Sequence, residues 1–167
     1  MGLEIRAARP EDAETLLEIQ REASVAAFAN IFDPERYPYP SDAVLGLWND
    51  TLADPEVEVH VAELDGAPVG VVAIGEEFLS QLYVLPSRQG TGIGGALHDH
   101  ALKRLGERGI TRAKLWTLEE NRPARRFYER RGWELTDVTR VVPYPPNPTD
   151  VQYAKDLSPE IDRIPRT

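Results

Sequence analysis

The sequence predicts a mixed α/β fold, and three observations carry that reading. At 167 residues the chain has the size of one domain, expected to span 1–167. It is 41% hydrophobic and 28% charged, enough apolar material for a real core. Its hydrophobic period switches between two and about 3.6 residues, giving strands and helices in the order βαα-βββ-αβ-αββ. No internal repeat, low-complexity tract or interdomain linker breaks that order.

The elements follow in turn. LEIRAAR (3–9) alternates as a short strand and stops at Pro10. Pro10 to Glu14 reads as a helix start, with an early proline and acids at the positive end of the helix. Leu16, Leu17, Ile19, Ala23, Ala26 and Ala27 give that helix its apolar face. FANIFDPERYPYP (28–40) has three prolines and four aromatics, so it is not a regular helix throughout. Ser41-Asp42 caps a second helix through Leu45, Leu47, Trp48 and Leu52. Val57–Leu64 and Val69–Ile74 are strands flanking the hairpin signal Asp65-Gly66, and Phe78–Leu85 follows a turn at 75–77. Gly92–Gly106 is helical, with Ile93, Leu97, Ala101 and Leu105 on one stripe. Ala113–Leu118 is a strand, and Asn121–Arg131 a short helix ended by Gly132. Trp133–Val142 starts another strand, and a proline-rich loop (143–148) leads to a last strand, Val151–Leu157.

Composition excludes several classes of function. Nineteen Lys and Arg against 28 Asp and Glu give a net charge of −9, which argues against nucleic acid and anionic membrane as partners. No apolar run approaches the roughly 18 residues of a membrane span, and the first residues do not read as a signal peptide. With no cysteine there is no disulfide, thiolate metal site or acyl-thiol intermediate, and a cytoplasmic location is expected. His60, His98 and His100 are too few and too awkwardly spaced for a metal site, so none is expected. The latter two are expected on the surface of their helix.

Charge is unevenly distributed. Residues 1–87 carry four Arg and no Lys against 17 acids, a balance of −13, whereas 88–167 balance at +4 and 88–131 at +6. The split suggests two ligands of opposite charge, or helix faces that simply differ in composition.

The chemistry concentrates in Leu82–Gly95, LYVLPSRQGTGIGG. A strand ends at Pro86, a glycine-rich turn follows, and a helix begins. Glycines at 90, 92 and 94 let the backbone approach a ligand, and the helix N-terminus offers unpaired N–H groups to an anion. No Lys-Ser/Thr follows, so it is not a nucleotide P-loop, and G-x-G-x-G departs from the dinucleotide spacing.

The run Leu82 to Gly94 closely resembles motif A of the GNAT superfamily of acetyl-CoA-dependent N-acyltransferases, whose core is Gln/Arg-x-x-Gly-x-Gly/Ala. Asn121 to Trp133 (NRPARRFYERRGW) resembles the family's second signature, Asn-x-x-Ala-x-x-Phe-Tyr followed by Gly-Phe, with Trp133 in place of the Phe. The element order matches from residue 3 to about 157. The resemblance implies a mixed, mostly antiparallel sheet of about seven strands, splayed between 78–85 and 113–118 and flanked by about four helices. It implies acetyl-CoA in the splay and no metal, with the pyrophosphate on Gln89, Gly90, Thr91, Gly92, Ile93 and Gly94. Arg88 stands at the rim, and backbone groups of Leu82 and Val84 pair with pantetheine. The Val84 N–H is the implied oxyanion donor and Tyr128 the implied general acid, against its alternative as a core aromatic. Asn121 either contacts the cofactor or caps its helix. Glu77, with Glu76, is a candidate base or a solvated turn carboxylate.

The amine acceptor is expected among the first two helices, their loop and the last-strand loops, where Phe28, Phe32, Tyr83 and Tyr144, with Tyr37, Tyr39 and Trp48, either line a pocket or fill core. Asp33 and Glu35 are candidates to hold a cation. The expected function is N-acetylation of a primary amine of a small molecule by direct attack in a ternary complex. The alternatives are a protein or peptide N-acetyltransferase and a non-catalytic CoA-binding sensor. Homodimers are frequent in the family, and the last strand is a candidate pairing edge.

Overall fold

The structure is a computed structural model that describes residues 2–157. Seven strands form one sheet: β1 (Leu3–Ala7), β2 (Val57–Leu64), β3 (Ala67–Gly75), β4 (Phe78–Val84), β5 (Arg112–Leu118), β6 (Glu134–Val141) and β7 (Thr149–Asp156). Their spatial order is β1-β2-β3-β4-β5-β7-β6, and every neighbouring pair is antiparallel except β4 and β5. Four α-helices flank it: α1 (Ala13–Phe28), α2 (Ser41–Ala53), α3 (Ile93–Glu107) and α4 (Arg122–Arg130). This is the mixed, mostly antiparallel class that the sequence predicts.

Local chemistry fixes the connections. Asp65 (φ 52°) and Gly66 (φ 85°) both take the left-handed region, as the two-residue hairpin between β2 and β3 requires. Before α1, a 3-10 turn over Pro10–Asp12 is clamped by Asp12, which accepts both arms of the Arg6 guanidinium (2.9 and 3.0 Å) and the Arg9 N–H (2.7 Å). The Arg6 fork holds the buried Asp12 carboxyl below its usual pKa. Ser41 is the first residue of α2 and makes no side-chain cap, because Pro40 occupies the capping position.

Alternation along β3 builds a core on each face. Val71 and Ala73 join Leu16, Ile19 and Trp48 under α1 and α2; Val72 and Ile74 join Leu97, Leu105, Leu115 and Tyr153 under α3 and α4. Helix α3 seats closely because Gly70 lacks a side chain: a Cβ there would fall 2.8 Å from Leu97 Cδ1 and 3.1 Å from the Tyr83 carbonyl oxygen. Ala26 and Ala27, expected on the apolar face of α1, are exposed; the helix has turned past the sheet by then and buries Ala23 and Ser24 instead.

The last strand is not a pairing edge. β7 lies between β5 and β6, with backbone partners on both sides, so the free edges are β1 and β6. Leu135, Val138 and Val141 are exposed on β6.

The feature that positions the site is the parting of β4 from β5. Only one register pair joins them, Phe78 with Lys114, supported by a bond from the Lys114 N–H to the Glu77 carbonyl oxygen (2.9 Å). Beyond it the strands diverge, as the resemblance implies.

Candidate active site

The gap exposes the edge of β4. Leu85 donates its N–H to the Val69 oxygen (2.9 Å), while Tyr83 lies opposite Val71 and Gln81 opposite Ala73. Antiparallel alternation therefore turns the N–H groups of Leu82 and Val84 away from β3, into the gap. The Gln89 side-chain amide donates to the Val84 carbonyl oxygen (3.2 Å), tying the following turn to this edge.

That turn is built to leave its amides free. Gly90 (φ 79°) and Gly92 (φ 89°) are both left-handed, and a Cβ at either would meet nothing within 4 Å. The Thr91 hydroxyl bonds the Arg88 carbonyl, and Ala96 donates the first bond of α3 back to Gly92 (3.0 Å). The N–H groups of Ile93, Gly94 and Gly95 precede that first bond, as the opening turn of any helix dictates. They and the helix's partial positive charge lie next to the open space over Gly90 and Gly92, a combination that suits a phosphate. Arg131 adds charge that sequence reasoning missed. Its guanidinium stacks 3.6 Å over Phe127 and lies 3.1 Å from where a Gly95 Cβ would be.

On the same face, α4 carries Tyr128. Its ring is 8% exposed and packs edge-on against Phe127 (5.2 Å) and Trp133 (5.9 Å). A phenol holds its proton at neutral pH in any case, and burial pushes the Tyr128 pKa further up. Asn121 accepts the Ala124 N–H (3.3 Å) and so caps α4.

His98 departs from expectation: it is 2% exposed, not on the surface. Its Nε2 accepts the indole N–H of Trp133 (2.9 Å) and its Nδ1 faces Asp99 (3.0 Å). An indole only donates, so Nε2 is bare and Nδ1 carries the proton. His60 and His100, far apart in sequence, meet edge-on at 4.4 Å between β2 and α3. Among the described residues no group of three or more His, Cys, Asp or Glu side chains could hold a metal.

On the opposite face, under α1 and α2, lies a cavity of about 570 Å³. Phe28, Phe32, Tyr37, Tyr39, Tyr83 and Tyr144 line it, and its floor reaches Thr117 and Leu118 on the far lip of the gap. Trp48, expected there, is instead core, its indole donating to Gln20 (2.8 Å). Asp33 and Glu35 do not line it: Asp33 accepts the Glu35 N–H (3.1 Å) in an exposed turn. The acid that does is Asp150, 8% exposed, which sequence reasoning missed. The signal lay in an acid within the apolar run of β7, one residue before the expected start of that strand.

Tyr83 joins the two halves. Burial pushes its pKa up, and so do the neighbouring Tyr39 and Tyr128 phenols and the Asp150 carboxylate. The structure does not bring Glu77 to this group. Its carboxylate faces Lys114 (3.9 Å) at the closed end, seven strand residues or roughly 20 Å from Val84. The gap is thus a window through the sheet, with an anion cradle on one side and an aromatic cavity on the other. Two ligands could meet there.

Comparison with known proteins finds relatives in both sequence and fold. The model of the acetyltransferase (GNAT) family matches residues 15–133. The chain is 30% identical over 152 residues to the peptidyl-lysine N-acetyltransferase YjaB of Salmonella typhimurium, covering 87% of this chain and 95% of that protein. It is 26% identical over 148 residues to the spermidine N(1)-acetyltransferase of Thermoplasma acidophilum, covering 83% and 92%. It spans about half the length of other curated relatives, such as 55% of an uncharacterized N-acetyltransferase of Archaeoglobus fulgidus at 41% identity over 81 residues, 42% of this chain. The fold matches a crystal structure of the PaiA N-acetyltransferase of Thermoplasma acidophilum in complex with coenzyme A. That match has a TM-score of 0.74 and 23% identity, covering 93% of this chain and 99% of that one. Among the described residues no helix is long and apolar enough to cross a membrane.

Proposed function

The chain belongs to the GNAT acetyltransferase family, and we propose that it transfers an acetyl group from acetyl-CoA to the primary amine of a small molecule. The observation that carries this reading is the aromatic cavity whose lining includes Tyr83, Thr117 and Leu118 at the parted strands. The α1–α2 segment and the 142–145 loop wall the cavity, where a protein chain would need an open groove.

The residues present fit acetyl-CoA: the amides at the start of α3 are free, the space over Gly90 and Gly92 is open, and β4 has an unpaired edge. When bound, acetyl-CoA supplies an activated acyl thioester that leaves CoA as a thiol. Gln89 to Gly94, with Arg88 at the rim, hold the pyrophosphate. Leu82 and Val84 offer strand-like bonds to the pantetheine arm, and the Val84 N–H stabilises negative charge developing on the acyl oxygen. The Tyr128 phenol gives its proton to the departing sulfur, and the proton the amine sheds as the amide forms restores the phenol. Holding both reactants at one window provides the proximity that direct attack needs. A chain without cysteine suits a cytoplasmic enzyme.

The test is acetyl-CoA-dependent thiol release with separate panels of small amines and lysine-bearing peptides. Turnover confined to the small amines supports the proposal. Turnover on peptides alone overturns its substrate class, and acetyl-CoA binding without turnover on either panel overturns the enzyme reading in favour of a sensor.

A further inference from the structure

The composition of the cavity narrows the acceptor further. Six aromatic rings form its walls, offering a broad apolar surface and ring faces to a cation. Against that surface stand two ionisable groups of full charge, Asp150 and the exposed Arg36. Asp33 and Glu35, in the same loop as Arg36, do not line the cavity. The lining is therefore close to neutral, with one point that attracts a cation and one that repels it.

Asp150 is held rigidly. It lies in β7 with Leu118 of β5 on one side and Arg140 of β6 on the other, so its carboxylate stands on the cavity floor beside the window. Arg140 donates from Nε to Oδ2 (3.0 Å) while stacking 4.2 Å over Trp116. That ion pair engages one oxygen and offsets part of its charge, leaving Oδ1 for a second donor. Nearby, the Tyr39 hydroxyl is buried with only the Ser24 hydroxyl beside it, which leaves bonding capacity for a ligand.

Building on the acetyltransferase reading, we propose that the acceptor is a monoamine on a bulky aromatic body, and that the Asp150 carboxylate receives its ammonium group. A polyamine fits poorly. Its first ammonium would take Asp150, and the second would find no other carboxylate in the lining and would meet Arg36. A lysine side chain would bring the charge but leave the aromatic walls largely uncovered.

The experiment compares kcat/KM for phenethylamine and tryptamine with that for spermidine and a lysine peptide, in wild type, Asp150→Asn and Tyr144→Ala. It is paired with ligand-observed NMR of phenethylamine binding in the presence of CoA. The arylalkylamines are expected to exceed spermidine and the peptide by at least tenfold. Asp150→Asn is expected to lower their kcat/KM at least tenfold through KM, with acetyl-CoA affinity unchanged. Tyr144 is half exposed in its loop, so Tyr144→Ala keeps the fold and is expected to lower the arylalkylamine kcat/KM several-fold even if Asp150→Asn does not fold. Spermidine or peptide turnover at or above that of the arylalkylamines overturns this proposal and leaves the acetyltransferase reading standing. Arylalkylamine binding that needs Asp150, with no thiol release on any amine, overturns the acetyltransferase reading and keeps the cavity assignment. Absence of both binding and turnover of the arylalkylamines overturns the proposal.

Discussion

Trp133 fixes the protonation of a buried neighbour. Its indole N–H bonds His98 Nε2 at the centre of an aromatic cluster with Phe127 and Tyr128, and so holds the ring neutral beside the candidate general acid. Trp133→Phe removes the donor and leaves a buried ring nitrogen unsatisfied. Urea unfolding should show a loss of about 1–3 kcal/mol. Adding His98→Leu should recover part of that loss, because the unsatisfied nitrogen goes too; a Trp133→Phe protein of wild-type stability would contradict the assignment. The sequence shows a Trp where the resemblance expects Phe, but not its reason. The partner lies 35 positions away and is met only when α3 packs beside α4. His98 was unreadable for the same cause, since helical spacing alone does not say which face is covered.

Among the elements, the turn before α3 and the interior of α2 make opposite demands on glycine. Gly92 must sit at φ 89° for the amides to point outward, and its Cβ position is open, so Gly92→Ala is strained by conformation rather than by contact. It should cost about 1–2 kcal/mol and weaken acetyl-CoA binding by calorimetry. Gly46, exposed in mid-α2 with equal open space, should behave oppositely: Gly46→Ala should stabilise by about 0.5–1 kcal/mol. Equal effects at both sites would contradict the left-handed assignment. The turn, the Asp65-Gly66 hairpin and the helix stripes were legible because they are local patterns. The cavity was only half legible. Its aromatics crowd into one stretch and can be seen, but Asp150 reaches it through β7 pairing with β5, and Asp33 and Glu35 turn away from it. The edge position of β6 was hidden too, since a chain that returns to insert its last strand leaves no composition signal.

Across the whole molecule, the α3–α4 face of the sheet depends on packing that acid should loosen. His60, His98 and His100 all have pKa values lowered, chiefly by burial. Around the His60–His100 pair, Glu58 favours the charged form and Arg104 opposes it; around His98, Asp99 favours it while Arg131 and Lys155 oppose it. The unfolded chain then binds protons more readily below about pH 6.5, so stability is complete above that pH and falls as pH drops. Thermal unfolding should show Tm declining from pH 7.5 to 5.5, before most carboxylates titrate; a flat or rising Tm would contradict the burial of these rings. In the proposed reaction two ligands meet at the window between β4 and β5, with Tyr128 serving the departing sulfur. The most direct test is thiol release from acetyl-CoA by wild type and Tyr128→Phe, alongside calorimetric acetyl-CoA affinity, in a chain whose lack of cysteine removes any thiol background. Turnover of Tyr128→Phe is expected to fall by about 10²–10⁴ with acetyl-CoA affinity unchanged. Turnover equal to wild type, or a loss explained wholly by weaker acetyl-CoA binding, would contradict that role of Tyr128.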